Sequence, residues 1–200
     1  MAGAAAASGL RLYATVAILG LLHRMEVLRL PSGIEALAAT PIIVLACALY
    51  LVEFVADKVP AFDSIWDAVH TFIRIPAAGL LAFAAFSDVA EPWRTGAALL
   101  CGTIAFSSHA IKASSRLAIN TSPEPFTNLA ASFSEELVVL GLLWLAVSHP
   151  LLALAVALAT IAAALLAIAW IMRMLRRLFA RRSSSARADG VGGVPRSSAS

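Results

Sequence analysis

Residues 151–172 read LLALAVALATIAAALLAIAWIM, twenty-two in a row without a charge. A helix needs roughly 20 apolar residues to cross about 30 Å of hydrocarbon, so this stretch spans a bilayer unaided. Lipid offers no partners to backbone N–H and C=O groups, and a chain with one such segment must satisfy every embedded peptide group within helices. Just upstream, Ser148-His149-Pro150 interrupts the apolar run, because proline cannot continue a helix and biases the residue before it toward extended geometry. A tight helical hairpin is expected there. The uncharged stretch before it, 137–148, is too short to span unless its helix starts near Phe126 and carries Glu135 and Glu136 inside the protein or at the interface.

The remaining apolar segments are each closed by polar residues at membrane depth. Residues 36–52 are uncharged and end in Glu53; 75–87 is only thirteen residues long and needs His70 and Arg74 to complete a span; 95–111 runs uncharged up to Lys112. With a first segment from about Leu10 to Leu28, the expected fold class is an all-α polytopic membrane helical bundle of about six transmembrane helices, or five if the first segment is tilted or re-entrant. Composition agrees: 60% of residues are hydrophobic and 14% charged, against roughly 45–50% and about 25% in soluble domains.

Charge placement supplies an orientation. The net +3 hides an asymmetry, since residues 171–200 hold seven Arg and one Asp while residues 1–170 hold eight Lys or Arg and eleven Asp or Glu. A basic end beyond the last span places the C-terminus in the cytoplasm of a cell whose inner (plasma) membrane holds the protein. Lys58, Lys112 and Arg116 then fall on the same side. Arg24, Arg29 and Arg94 fall on the other, each with Glu26 or Glu91 nearby. The expected domains are a membrane-embedded region, 1–178, and an Arg/Ser-rich cytoplasmic tail, 179–200, too polar to bury a core and read as disordered. Arg173, Arg176 and Arg177 at the junction read as a topology anchor that reaches lipid phosphates. No basic stripe interleaved with aromatics is present, which excludes a nucleic-acid partner. Cys47 and Cys101 lie in apolar runs with no neighbouring metal-ligand spacing and read as small hydrophobes.

Two polar stripes are where chemistry would reside. In EFVADKVPAFDSIWDAVHTFIRIPAAG, residues 53–79, Glu53 and Asp57 are four apart; beyond Pro60, Asp63, Asp67, His70 and Arg74 follow at offsets 0, 4, 7 and 11, one helical face. In 109–128, His109, Lys112, Arg116 and Asn120 stand at offsets 0, 3, 7 and 11, before Glu124 and Asn128. The first stripe is mostly acidic and the second basic. An ionised side chain at the centre of a bilayer helix costs roughly 2.5–3.5 kcal/mol on insertion scales, so such groups face a bundle interior or an aqueous cavity and pair with one another. Glu53, Asp57, Lys58, Asp63, Asp67, His70, Arg74, His109, Lys112, Arg116, Asn120, Glu124 and Asn128 therefore form the candidate substrate or ion path. Glu135 and Glu136 point in different directions around their helix; one is expected to pair with Arg116 or Lys112 and the other to cap or snorkel.

Three functions fit these stripes. The leading one is a small transporter or channel, with His70 or His109 titrating and proline-broken helices freeing backbone groups. The second is a membrane-embedded, metal-dependent lipid-phosphate enzyme, for which Asp57, Asp63 and Asp67 are the metal candidates. The third is a non-catalytic scaffold in which all these groups are closed off in salt bridges. Ser107, Ser108 and His109 have the residue types of a hydrolase without a nucleophile elbow, so no catalytic residue is assigned and non-enzymatic function is favoured. No cofactor is indicated. The expected partners are the lipid bilayer, a small solute, ion or lipid as substrate, and a second copy of the chain.

Beyond this physical reading, the 53–79 stretch together with KASSR, NTSPEPFTN and the opening SGLRLYATVAILGLLHR resembles the bacterial multi-pass membrane-protein family known as domain of unknown function 4126. The matching positions include Asp57-Lys58, Trp66-Asp67, His70-Thr71, Arg74 and Pro123-Glu124-Pro125, and the resemblance covers nearly all of the chain before about residue 178. It implies a multi-pass fold and carries no chemistry with it.

Overall fold

The computed structural model describes residues 1–59, 62–120 and 125–191. Among them the chain is helical throughout: α1 (Ala2–Leu10), α2 (Leu12–Arg24), a 3-10 segment (Ser32–Ala38), α3 (Thr40–Ala56), α4 (Phe62–Ala85), α5 (Glu91–Asn120), α6 (Pro125–Ser148) and α7 (Pro150–Val191). It divides into two units, Met1–Ala162 and Ala163–Ser200; the first holds the bundle, and the described part of the second is the C-terminal portion of α7.

Burial in the first unit is inverted relative to a soluble protein. Phe126, Phe72 and Leu151 are 83%, 82% and 81% exposed, whereas Arg11, Arg74 and Arg116 are among the largest fully buried side chains. Water would drive the opposite arrangement. Apolar helix surfaces facing outward around a charged interior are the arrangement a bilayer selects, and the chain is a helical membrane protein.

Fewer than six helices among the described residues have the length and apolarity of a span. Among the described residues, three helices are both long and apolar enough to cross: α4, α6 from Phe126 and α7 through Trp170. A fourth is reached if the 3-10 segment and α3, bent by 66° at their junction, make one span. α5 has the length, with thirty residues, but Ser107, Ser108, His109, Lys112 and Arg116 along it lower its apolarity. These residues are buried in the bundle. Counting uncharged runs credits a helix for its apolar stretch and ignores the polar face beside it.

The first segment also differs from the expected single helix. The segment expected from about Leu10 to Leu28 is the shorter α2, and a further helix, α1, precedes it across Arg11, whose backbone is extended (φ −144°, ψ 90°). The stretch before the break, AGAAAASG, has side chains too small to reach outward but suited to close packing, and Ala6 and Ala7 are completely enclosed against neighbouring helices. At Gly9 a Cβ would collide with the Ala105 carbonyl of α5, so only glycine permits this approach.

Other boundaries follow the local signals. α6 ends at Ser148 and α7 opens on Pro150, where the missing N–H costs nothing. α4 passes through Pro76 without ending. α7 continues past the composition boundary at 178/179 as far as Val191, since Arg, Ala and Ser residues do not interrupt a helix already under way. Residues 192–200 of the expected tail lie outside the described residues.

Candidate functional site

The charged side chains of four helices, α3 to α6, and of Arg11 at the α1–α2 break converge on one enclosed network. Asp57, directly after α3, is its hub: its Oδ2 lies 2.9 Å from both Arg11 Nη2 and Lys112 Nζ, and 3.9 Å from Arg116 Nη2. Arg116 donates through Nε to Glu135 Oε1 at 2.8 Å, through Nη1 to the Asp57 carbonyl at 3.0 Å, and to the Asn128 side chain. Arg74 binds Glu53 and also reaches Asp67 Oδ1 at 3.3 Å. Lys112 stands between the acids, 3.5 Å from Asp67 and 3.6 Å from Glu135. Glu135 and Glu136 both come within 3.4 Å of Arg11, so the expectation that one of the pair would cap or snorkel is corrected. Arg11, freed from helical geometry, projects one guanidinium toward α3 and α6 at once.

The break does more than place Arg11. The last carbonyls of α1, those of Gly9 and Leu10, accept from Arg74 Nη1 and Lys112 Nζ at 3.3 Å each. Helix-terminal carbonyls carry partial negative charge, and here two cations complement it.

Among the described residues the ion-paired set comprises five carboxylates (Glu53, Asp57, Asp67, Glu135, Glu136) and four cations (Arg11, Arg74, Lys112, Arg116). One carboxylate is in excess. Glu53 Oε2, Asp57 Oδ1 and Asp67 Oδ2 are buried and find no hydrogen-bond donor among the described residues. Burial alone would raise the Asp57 carboxyl, but Lys112, Arg11 and Arg116 outweigh it and hold Asp57 below its ordinary value.

Hydrogen bonding sets the state of one of the two histidines. His109 Nδ1 lies 2.9 Å from Arg74 Nη1, which can only donate, so Nδ1 accepts and the ring is neutral. Its Nε2–H faces Thr71 Oγ1 at 2.7 Å and the Asp67 carbonyl at 3.1 Å. His70 Nδ1 donates to the Trp66 carbonyl at 2.8 Å, and its Nε2 meets the Tyr13 hydroxyl at 3.1 Å.

Of the sequence-derived candidates, Glu53, Asp57, Asp67, Arg74, His109, Lys112, Arg116 and Asn128 meet in this network. His70 lies at its edge through Tyr13. Asp63 is buried in the first turn of α4, with Oδ1 accepting from the Ser64 N–H at 2.6 Å. Lys58 sits instead over the Phe54 ring, 2.8 Å from its centroid. Asn120 ends α5, with its side chain outside the described residues, as is all of Glu124. Asp57 and Asp67 close on Lys112, and among the described residues no three His, Cys, Asp or Glu side chains form a group able to hold a metal ion. Sequence reasoning missed Arg11, Tyr13, Thr71 and Ser132, the last of which accepts from Arg11 at 3.1 Å. A signal for Arg11 existed: it is the only charge among the first twenty residues, between two small-residue and apolar runs.

A family model described as "Domain of unknown function (DUF4126)" matches residues 1–170. Neither a curated protein nor a solved structure matches the chain.

Proposed function

The chain belongs to the DUF4126 family, whose function is unknown, and from its own residues we propose that it is a small proton-linked transporter with the buried network as its occluded binding site. The observation that carries this reading is the charge imbalance, five carboxylates against four cations among the described residues. An uncompensated charge in a low-dielectric interior is costly, so the network takes up a proton or a cationic ligand and exchanges one for the other. The helix broken at Arg11, its carbonyls turned into the site, is a feature that membrane transporters use to expose backbone groups at a binding centre. α5 crosses the bilayer with its polar side inward, and the Arg-rich C-terminus lies on the cytoplasmic face of the plasma membrane, by the positive-inside bias. Reporters fused at residue 91 and at the C-terminus should then lie on opposite sides; the same side would refute that orientation.

A second reading, a scaffold held together by the network, is favoured by its closure, since Glu53, Asp57, Arg74 and Arg116 are fully buried. Proteoliposomes loaded with a pH-reporting dye separate the two. Acid-loaded vesicles are challenged with sodium, potassium, organic cations, an amino acid and a sugar. The transport reading expects proton exit with at least one of these to exceed that in protein-free vesicles and in vesicles of Asp67→Asn. Rates equal to protein-free vesicles for every solute would leave the scaffold.

A further inference from the structure

A cavity of about 380 Å³ lies between α5, α6 and the first turns of α7, with Lys112 and Glu135 of the network in its wall. Its apolar lining includes Leu10, Val138, Leu142 and Val156. Ile111 and Val138 are exposed, so the cavity reaches the molecular surface.

The polar atoms of the lining are of one kind. Ser108, Ser115, Ser134 and Thr160 each donate their hydroxyl hydrogen to a carbonyl of their own helix, at 3.0, 2.7, 2.8 and 2.6 Å. Each hydroxyl then has only lone pairs to offer. Lys112 has three protons, and its ammonium already faces Asp57 and the Leu10 carbonyl, with Asp67 and Glu135 just beyond. Two of its protons are held there, and the third is turned toward Asp67 and Glu135 rather than committed to one of them. Glu135 is the opposite case: Oε1 is held by Arg116 at 2.8 Å, but Oε2 has only distant donors, Arg11 at 3.4 Å and Lys112 at 3.6 Å. The Glu135 side chain keeps 12% of its surface exposed.

We infer that this cavity binds an amphiphilic organic cation bearing N–H donors, its apolar body against α5, α6 and α7 and its charged head on Glu135 Oε2. A lining whose four hydroxyls offer only lone pairs, beside a weakly held carboxylate oxygen, selects a donor over an acceptor. The excess carboxylate selects a cation over a neutral donor, and the aliphatic walls select an apolar body. As the cargo of the proposed transporter, this ligand rests on that reading; as a bound species it is tested without any flux.

The probe is tritiated n-octylguanidinium, permanently charged and rich in N–H donors, measured against the full chain in lipid nanodiscs with empty discs subtracted. Saturable binding is expected. Octyltrimethylammonium, a cation without N–H, and octanol, a neutral donor, should each compete about tenfold more weakly, the worth of one charge-assisted hydrogen bond. Octanoate should not compete. Glu135→Gln should weaken binding about tenfold, and Val156→Phe, which fills the cavity without touching a charge, should abolish it. Octanoate or octanol competing as well as octylguanidinium would overturn the proposal, as would full binding by Val156→Phe. Binding with no uptake of the probe into proteoliposomes supports this assignment while counting against transport; exchange of other solutes with no binding of the probe does the reverse.

Discussion

Arg11 Nη2 and Asp57 Oδ2 stand 2.9 Å apart with both side chains fully buried, tying the break in the first helical segment to the end of α3. The pair is one contact in a network that, among the described residues, sets five carboxylates against four cations. Losing Arg11 leaves Asp57 and both α6 glutamates less compensated, and breaking a buried pair by removing one partner costs about 3–5 kcal/mol. Arg11→Met should therefore lower the unfolding midpoint of the detergent-solubilised protein sharply. Glu136→Gln alone should be mild, because that side chain is partly exposed. Combined, the two changes should be less damaging than their sum, with a coupling of about 0.5–3 kcal/mol. Strict additivity would mean that the network does not act as a unit.

Much of this network was legible in the sequence. The helical spacing of Asp67 and Arg74, and of His109, Lys112 and Arg116, already placed acids and bases on two faces; that the two faces meet is set by the packing of α4 on α5, which spacing along one helix does not encode. The start of α6 near Phe126 and the stop at His149-Pro150 followed from span length and proline chemistry. Arg11 left only a faint signal, a lone charge between apolar runs, because tertiary packing against α5 and α6 is what reveals that the Ala-rich run beside it is buried. Glu136 escaped for a related reason. Helical geometry separates it from Glu135, but Arg11 enters from outside the helix and spans both.

Asp57 gives the network a defined acid limit. Its folded-state pKa lies below the unfolded value of about 3.9, so its stabilisation is complete above that value and is lost as pH falls through the folded pKa. The deficit of Asp57→Asn relative to the parent should thus stay constant from neutral pH to about pH 4 and shrink below it. Thermal melts of both proteins across this range measure the difference. A deficit already shrinking at pH 6 would contradict the depressed carboxyl.

His109 should be a permanently neutral member. Its Nδ1 faces the Arg74 guanidinium and its Nε2–H faces Thr71 and the Asp67 carbonyl. Nitrogen-15 NMR of the histidine-labelled protein at pH 7 is expected to show Nδ1 without a proton and Nε2 with one. Arg74→Met removes the donor that enforces this tautomer, and its His109 signals should shift. The opposite tautomer in the parent would reassign the Arg74 contacts.

The position of the break depends on Gly9. A Cβ there would collide with the Ala105 carbonyl and stand 2.8 Å from Ser108 Cβ, so α1 would have to retreat from α5. That retreat would stretch the bonds from Arg74 and Lys112 to the Gly9 and Leu10 carbonyls, weakening the polar site along with the packing. Gly141, in the middle of α6, has nothing within 4 Å of its would-be Cβ. Gly141→Ala should accordingly be neutral or stabilising by up to about 1 kcal/mol through helix propensity. Gly9→Ala should cost about 1–3 kcal/mol as an overpacked contact despite the same gain in propensity. Melting both variants beside the parent isolates the effect of position from that of composition. If Gly9→Ala proved as stable as Gly141→Ala, close approach of α1 to α5 would not be what holds the carbonyls on the network.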